Sequence, residues 1–151
     1  MERKMDDLYN ASKIAFASEF SFALKAQNFH WNCEGPLFLQ YHQLFEIIYG
    51  EAYGSIDNFA ENLRKLGTYA PASLSRFNML TQVTDETDTL PVAAMVSELL
   101  ADSDKMVKIL KMVYDIAETH GEHGFSNFLA ERMDAHRKHS WMLRASTKGQ
   151  Q

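Results

Sequence analysis

The chain has a single cysteine, Cys33, so no disulfide can form within it. It has 3 prolines and 7 glycines, too few to break up long helices often. No stretch approaches the ~18 consecutive apolar residues that a membrane span needs. The opening MERKMDDLYN lacks the apolar centre of a secretory leader. These absences lead us to expect a chain that works without a membrane, in the reducing environment of the cytoplasm. Bases are also short: 15 Lys and Arg face 20 Asp and Glu, for a net charge of -5. That balance argues against general affinity for nucleic acid, which needs a basic footprint. Arg3, Lys4, Arg137, Lys138, Arg144 and Lys148 cluster near the two ends and read as solvated helix surface. Strand patterns and low-complexity segments are missing as well.

What is present is helical rhythm. The 151 residues, 46% of them apolar, suit one domain with a real core. We take 1–151 as that domain, with short tails at about 1–5 and 146–151. A first helix is expected from Asp6 to Asn32, with Leu8, Ala11, Ala15, Phe22, Ala26 and Phe29 on one stripe and the small Ser18 among them. Gly35-Pro36 stops it. A second helix is expected from Pro36 to Leu66, with Tyr41, Leu44, Phe45, Ile48, Ala52, Ile56, Phe59, Ala60 and Leu63 facing inward and Gly67 as its end cap. Ala70 to Phe77 reads as a short extra helix, and TQVTDETDTLP as loop. A third helix is expected from Pro91 to Thr119, with HGEHG ending it, and a fourth from Phe125 to Ala145. The expected class is all-α: a four-helix bundle with one long crossover between its second and third helices, B and C, carrying a short extra helix.

Four side chains carry the chemistry: His30, His42, Asp57 and Glu61. A lone histidine at a helix-packing position is usually structural, and a lone helix carboxylate usually faces water. The spacing changes that weighing. His30 lies six residues before Pro36 and His42 six after it, so a hairpin folded near Pro36 sets both imidazoles at similar heights. Asp57 and Glu61 are four apart and share a helix face. Imidazole with carboxylate suits iron, and carboxylate oxygen suits the harder ferric product. The same ligands accept zinc or manganese. The two pairs cannot meet within one helix, because His42 and Asp57 are separated by ~22 Å at the α-helical rise. An antiparallel two-fold dimer resolves this, since the histidines of one copy then face the acids of the other, twice over. Glu46, one turn after His42, is a further ligand candidate or an exposed acid. Trp31 is expected in the core, where it could also donate an electron to nearby iron; Tyr49 is a second candidate donor. At acid pH, protonation of the histidines should weaken iron binding.

The run NFHWNCEGPLFLQYHQLFEIIYGEAYGSIDNFAENLRKLG, Asn28 to Gly67, resembles the signature of the Dps family, the ferritin-like DNA-protection proteins of starved bacteria. The family pattern is an HWN histidine, a second histidine twelve residues on, and a later D-x-x-x-E; here these are His30, His42, Asp57 and Glu61. WMLRA, Trp141 to Ala145, is similar to the family's last helix. The resemblance implies the ferritin-like bundle and a hollow homo-oligomer, a dodecamer built from two-fold dimers. It implies an inter-subunit ferroxidase site on the four named residues, oxidising ferrous iron with hydrogen peroxide in preference to oxygen and storing ferric mineral. No Glu-x-x-His pair occurs in the chain, which favours this split site over that of ordinary ferritins.

Some positions depart from the pattern. Asn62 stands where an arginine is common. In GEHGFSNFL, Gly121 to Leu129, Glu122 and Asn127 stand where many members have pore-lining aspartates. Iron entry then falls to Glu118 and Glu122. His120 and His123 offer an extra metal site there, or are simply solvated. A lysine-rich tail is absent, so DNA binding is expected to be weak or missing. The alternatives are a structural or DNA-compacting shell with little iron chemistry, a shell loaded with zinc or manganese, and an inert bundle with core histidines.

Overall fold

The computed structural model describes residues 5–148. Arg3 and Lys4 lie outside the described residues, as do positions 149–151. Six helices follow in chain order: α1 Asp6–Asn32, α2 Phe38–Gly54, α3 Ile56–Leu66, α4 Leu74–Leu80, α5 Val92–Thr119 and α6 His123–Ser146. The described residues contain no strand. None of these helices is long and apolar enough to cross a membrane.

The expected stripes form the core. Leu8, Phe22, Phe29, Phe45, Ile48, Phe59 and Leu63 meet Leu99, Met106, Leu110 and Leu129 with essentially no exposure. Full burial of one such side chain contributes roughly 1.5–3 kcal/mol. α1 packs against α2, α3 and α5, and α5 packs against α6, so α1, α2–α3, α5 and α6 form the four-helix bundle.

The expected second helix is divided in two. Ser55 keeps right-handed helical angles, but its hydroxyl bonds back to the Ala52 carbonyl at 2.7 Å. A Gly54-Ser55 pair with such back-bonding is a common cause of a local bend. The helix resumes at once, as the Phe59 amide bonds to the Ser55 carbonyl. α3 then ends in a left-handed Gly67 at φ 109°, with amide bonds from Gly67 to Arg64 and from Thr68 to Leu63. That paired pattern satisfies two otherwise orphaned carbonyls.

The crossover is tied to α1 by polar bonds. Lys25 Nζ donates to the Thr84 carbonyl at 2.8 Å and pairs with Glu98 and Asp102. The Asn28 amide donates to the Glu86 carbonyl, and the Gln82 amide donates to the Ser18 hydroxyl. The extra helix is Leu74–Leu80, later than the expected Ala70 to Phe77, because the Ser73 hydroxyl caps it by accepting from the Arg76 amide. Pro71 and Ala72 precede that cap outside any helix.

Candidate metal centre

The chain reverses between α1 and α2 over residues 33–37. The Cys33 amide still bonds to Phe29, and the Phe38 amide closes a turn onto the Gly35 carbonyl. The reversal lays the His30 and His42 rings face to face, with centroids 3.8 Å apart and planes inclined by 15°. The spacing about Pro36 therefore produces the expected pairing of heights. Phe38 stacks on His42 at 4.8 Å, and the Tyr49 ring lies 5.1 Å from His30.

The two imidazoles bond reciprocally to each other's backbone. His30 Nδ1 lies 2.7 Å from the His42 carbonyl, and His42 Nδ1 lies 2.6 Å from the His30 carbonyl. A carbonyl can only accept, so each Nδ1 carries its proton and donates. In the neutral ring this leaves Nε2 unprotonated, with a lone pair for a metal.

Asp57 and Glu61 are exposed on α3, and Glu46 is exposed on α2. Asp57 borders a concavity of about 470 Å³ lined by Phe16, Phe20, Tyr53, Ile56 and Phe77. Among the described residues, no three His, Cys, Asp or Glu side chains are placed to share an ion. One chain thus joins the two histidines and leaves the acids apart.

Trp31 is not in the core. It is 62% exposed, because one residue step on α1 rotates it away from buried His30. Leu39, Ile47, Tyr69, Leu74 and Met79 are also largely exposed. At the far end of the bundle, His120 is held by Asp7 at 2.8 Å and is largely covered rather than solvated. His123 bonds to Glu118 at 2.7 Å and remains open to solvent.

The bundle also contains a polar network that the helical pattern alone did not isolate. Glu19 of α1 is completely buried; it accepts from Arg132 Nε at 3.0 Å and from His136 Nε2 at 2.6 Å. The other end of the Arg132 guanidinium grips Glu51 of α2 through both terminal nitrogens. His139 Nε2 donates to Glu51 at 2.8 Å. Burial works to raise the Glu19 pKa, but His136 and Arg132 outweigh it and hold the carboxyl below its usual range. Glu51 is lowered to about 2, because the bonds from His139 and Arg132 override its partial burial. Burial, aided by His136 and Arg132, lowers the His139 pKa and keeps that ring neutral despite Glu51. One signal was available in the sequence. Glu19 falls between Ala15 and Phe22 on the apolar stripe of α1, and Arg132, His136 and His139 fall between Leu129 and Leu143 on α6.

The ferritin-like domain family matches residues 14–148. The DNA protection during starvation protein of Brevibacillus brevis is 34% identical over 122 residues, covering 81% of this chain and 82% of that protein. The chain belongs to the Dps family of ferritin-like proteins. A low temperature-induced protein of Nostoc is 31% identical over 136 residues, covering 89% of this chain and 76% of that protein. The crystal structure of a Dps protein from Bacillus brevis superposes with a TM-score of 0.92 at 29% identity, covering 97% of this chain and 98% of that one. A Dps protein from Vibrio cholerae, described as one of a broad superfamily of ferritin-like diiron-carboxylate proteins, gives 0.91 at 25% identity, covering 97% and 92%. Membership of the Dps family of ferritin-like proteins supports a role in iron storage and protection.

Proposed function

We propose that this Dps-family chain is a ferroxidase subunit whose metal site lies between two copies. His30 and His42 of one subunit supply imidazole nitrogens, and Asp57 and Glu61 of the other supply carboxylates. Glu46 joins as a supporting ligand. The observation that carries this reading is the reciprocal Nδ1–carbonyl bonding of the histidine pair, which presents two Nε2 lone pairs in fixed orientation. Asp57 stands exposed beside an apolar concavity, and exposed apolar patches of this kind mark interfaces. A two-fold contact there covers the concavity and completes two identical sites.

Ferrous iron is the substrate. Two ferrous ions each give one electron to a hydrogen peroxide, whose O–O bond breaks as two protons are taken up and two waters leave. Paired delivery avoids the hydroxyl radical that a single electron would release from peroxide. Tyr49, close to His30, and exposed Trp31 are candidate electron donors when only one iron is bound. The ferric product is stored inside a hollow dodecamer, and Glu118 with Glu122 lies on the iron entry route. With a net charge of -5 on each chain, the assembly binds DNA weakly or not at all.

The test is stopped-flow iron oxidation with peroxide and with oxygen, comparing the wild type with His42→Ala/Asp57→Ala. Fast peroxide-driven oxidation lost in the double variant is the expected result. Slow oxidation, equal in both proteins, would instead leave a structural or DNA-compacting shell.

A further inference from the structure

The network around Arg132, buried apart from its partly exposed Glu51, takes no part in the proposed iron site, and its residue types are those of a metal centre. Two carboxylates, Glu19 and Glu51, and two imidazoles, His136 and His139, project into the bundle from α1, α2 and α6. Bundle cores assemble carboxylate and imidazole ligands from facing helices in this way when they hold transition metals. The position between the two carboxylates is taken by the guanidinium of Arg132, a residue only 4% exposed. Each histidine donates its Nε2 proton to one carboxylate, and among the described residues the buried Nδ1 atoms of both rings have no hydrogen-bond partner. Two ring nitrogens are therefore unpartnered in an interior where polar atoms are normally paired.

We infer that Arg132 is a built-in cation that keeps divalent metal ions out of a ligand set otherwise competent to bind one. The charges support this. Two carboxylates face the one guanidinium, whereas a divalent ion in its place would balance both. The guanidinium holds its place by geometry, because its planar fork grips Glu51 with two nitrogens while Nε reaches Glu19. It also separates the Glu19–His136 half from the Glu51–His139 half, which accounts for the absence of any three converging ligands among the described residues. Arg132 is thus a residue that determines where metal goes: the bundle interior is closed to it.

The test uses the assembled protein with His42→Ala/Asp57→Ala as background, so that the proposed inter-subunit site is already disabled and its failure cannot be confused with this one. Arg132→Gln is added and Co(II) is the probe. Bound metal per chain is counted after dialysis, and the visible ligand-field bands of cobalt are recorded. The expected result is one additional cobalt per chain with new bands in Arg132→Gln, and none in the background protein or with Arg132→Lys, which keeps a cation in place. A folded Arg132→Gln assembly with no added cobalt would overturn the inference. If Arg132→Gln does not fold, Arg132→Gln/Glu19→Gln removes one buried negative charge and keeps Glu51, His136 and His139. Cobalt uptake by that folded variant supports the inference, and no uptake overturns it.

Discussion

The split site predicts complementation between two inactive subunits. His42 and Asp57 lie on α2 and α3, whose shared axis bends only locally at Ser55. Fifteen residues at the helical rise separate them by roughly 22 Å, far beyond the reach of one metal ion. A subunit carrying His42→Ala and one carrying Asp57→Ala should each assemble into an inactive shell. In a mixed two-fold dimer, one site receives both defects. The other receives the intact histidines of one chain and the intact acids of its partner. Random pairing of equal amounts makes half of the dimers mixed, so about a quarter of all sites are whole. The assay is dissociation, mixing and reassembly of the two proteins, followed by the initial rate of peroxide-driven ferrous oxidation per subunit. Native mass spectrometry of mass-tagged subunits verifies the pairing. The expected rate is about a quarter of wild type, against near zero for either parent. A control sharpens the arithmetic. Wild type mixed equally with His42→Ala/Asp57→Ala should also retain about a quarter, since mixed dimers then hold no whole site; sites contained in one chain would retain about half. Verified mixed dimers that remain inactive in the first experiment would refute the shared site.

Other perturbations test the scaffold. Glu51, lowered to about 2 from 4.5, contributes stability that is fully present above pH 4.5 and is lost as the pH falls toward 2. The shift amounts to at most about 3 kcal/mol. Because the side chain is 38% exposed, solvent screening reduces this to about 1–2 kcal/mol. Urea unfolding between pH 5 and pH 2 should therefore show a shallower acid loss in Glu51→Gln than in wild type. His139 adds to the acid loss, since its lowered pKa means that the unfolded chain takes up a proton from about 6.5 downward before the folded one does. Lys25→Met strands Glu98 and Asp102 and releases the crossover at Thr84, which should cost about 3 kcal/mol in urea unfolding at neutral pH. Gly67→Ala places a Cβ 3.0 Å from the Tyr9 hydroxyl at a φ of 109°, and should lower stability by about 1–2 kcal/mol in the same assay. A variant as stable as wild type would refute both the contact with Tyr9 and the backbone strain at this position.

Helical rhythm, capping residues and two short motifs are local properties, and so the sequence alone determined the bundle, the positions of its long helices and the family. Counting outward from Pro36 was enough to pair His30 with His42, because a tight helical hairpin makes equal distances along the chain equal heights in space. The four-residue step from Asp57 to Glu61 likewise set a shared face. The break at Ser55 was not visible, because a serine back-bond competes with the helix only in its folded setting. The exposure of Trp31 was not visible either, since a large aromatic beside a buried histidine can face either way until the neighbouring helix is in place. Only tertiary structure assigned the proton on each imidazole, because that depends on carbonyls facing Nδ1 across the hairpin. Only tertiary structure joined Glu19, Glu51, Arg132, His136 and His139, of which Glu19 and His136 bond across 117 residues of chain, because nothing along the chain records which polar residues on three separate stripes will meet.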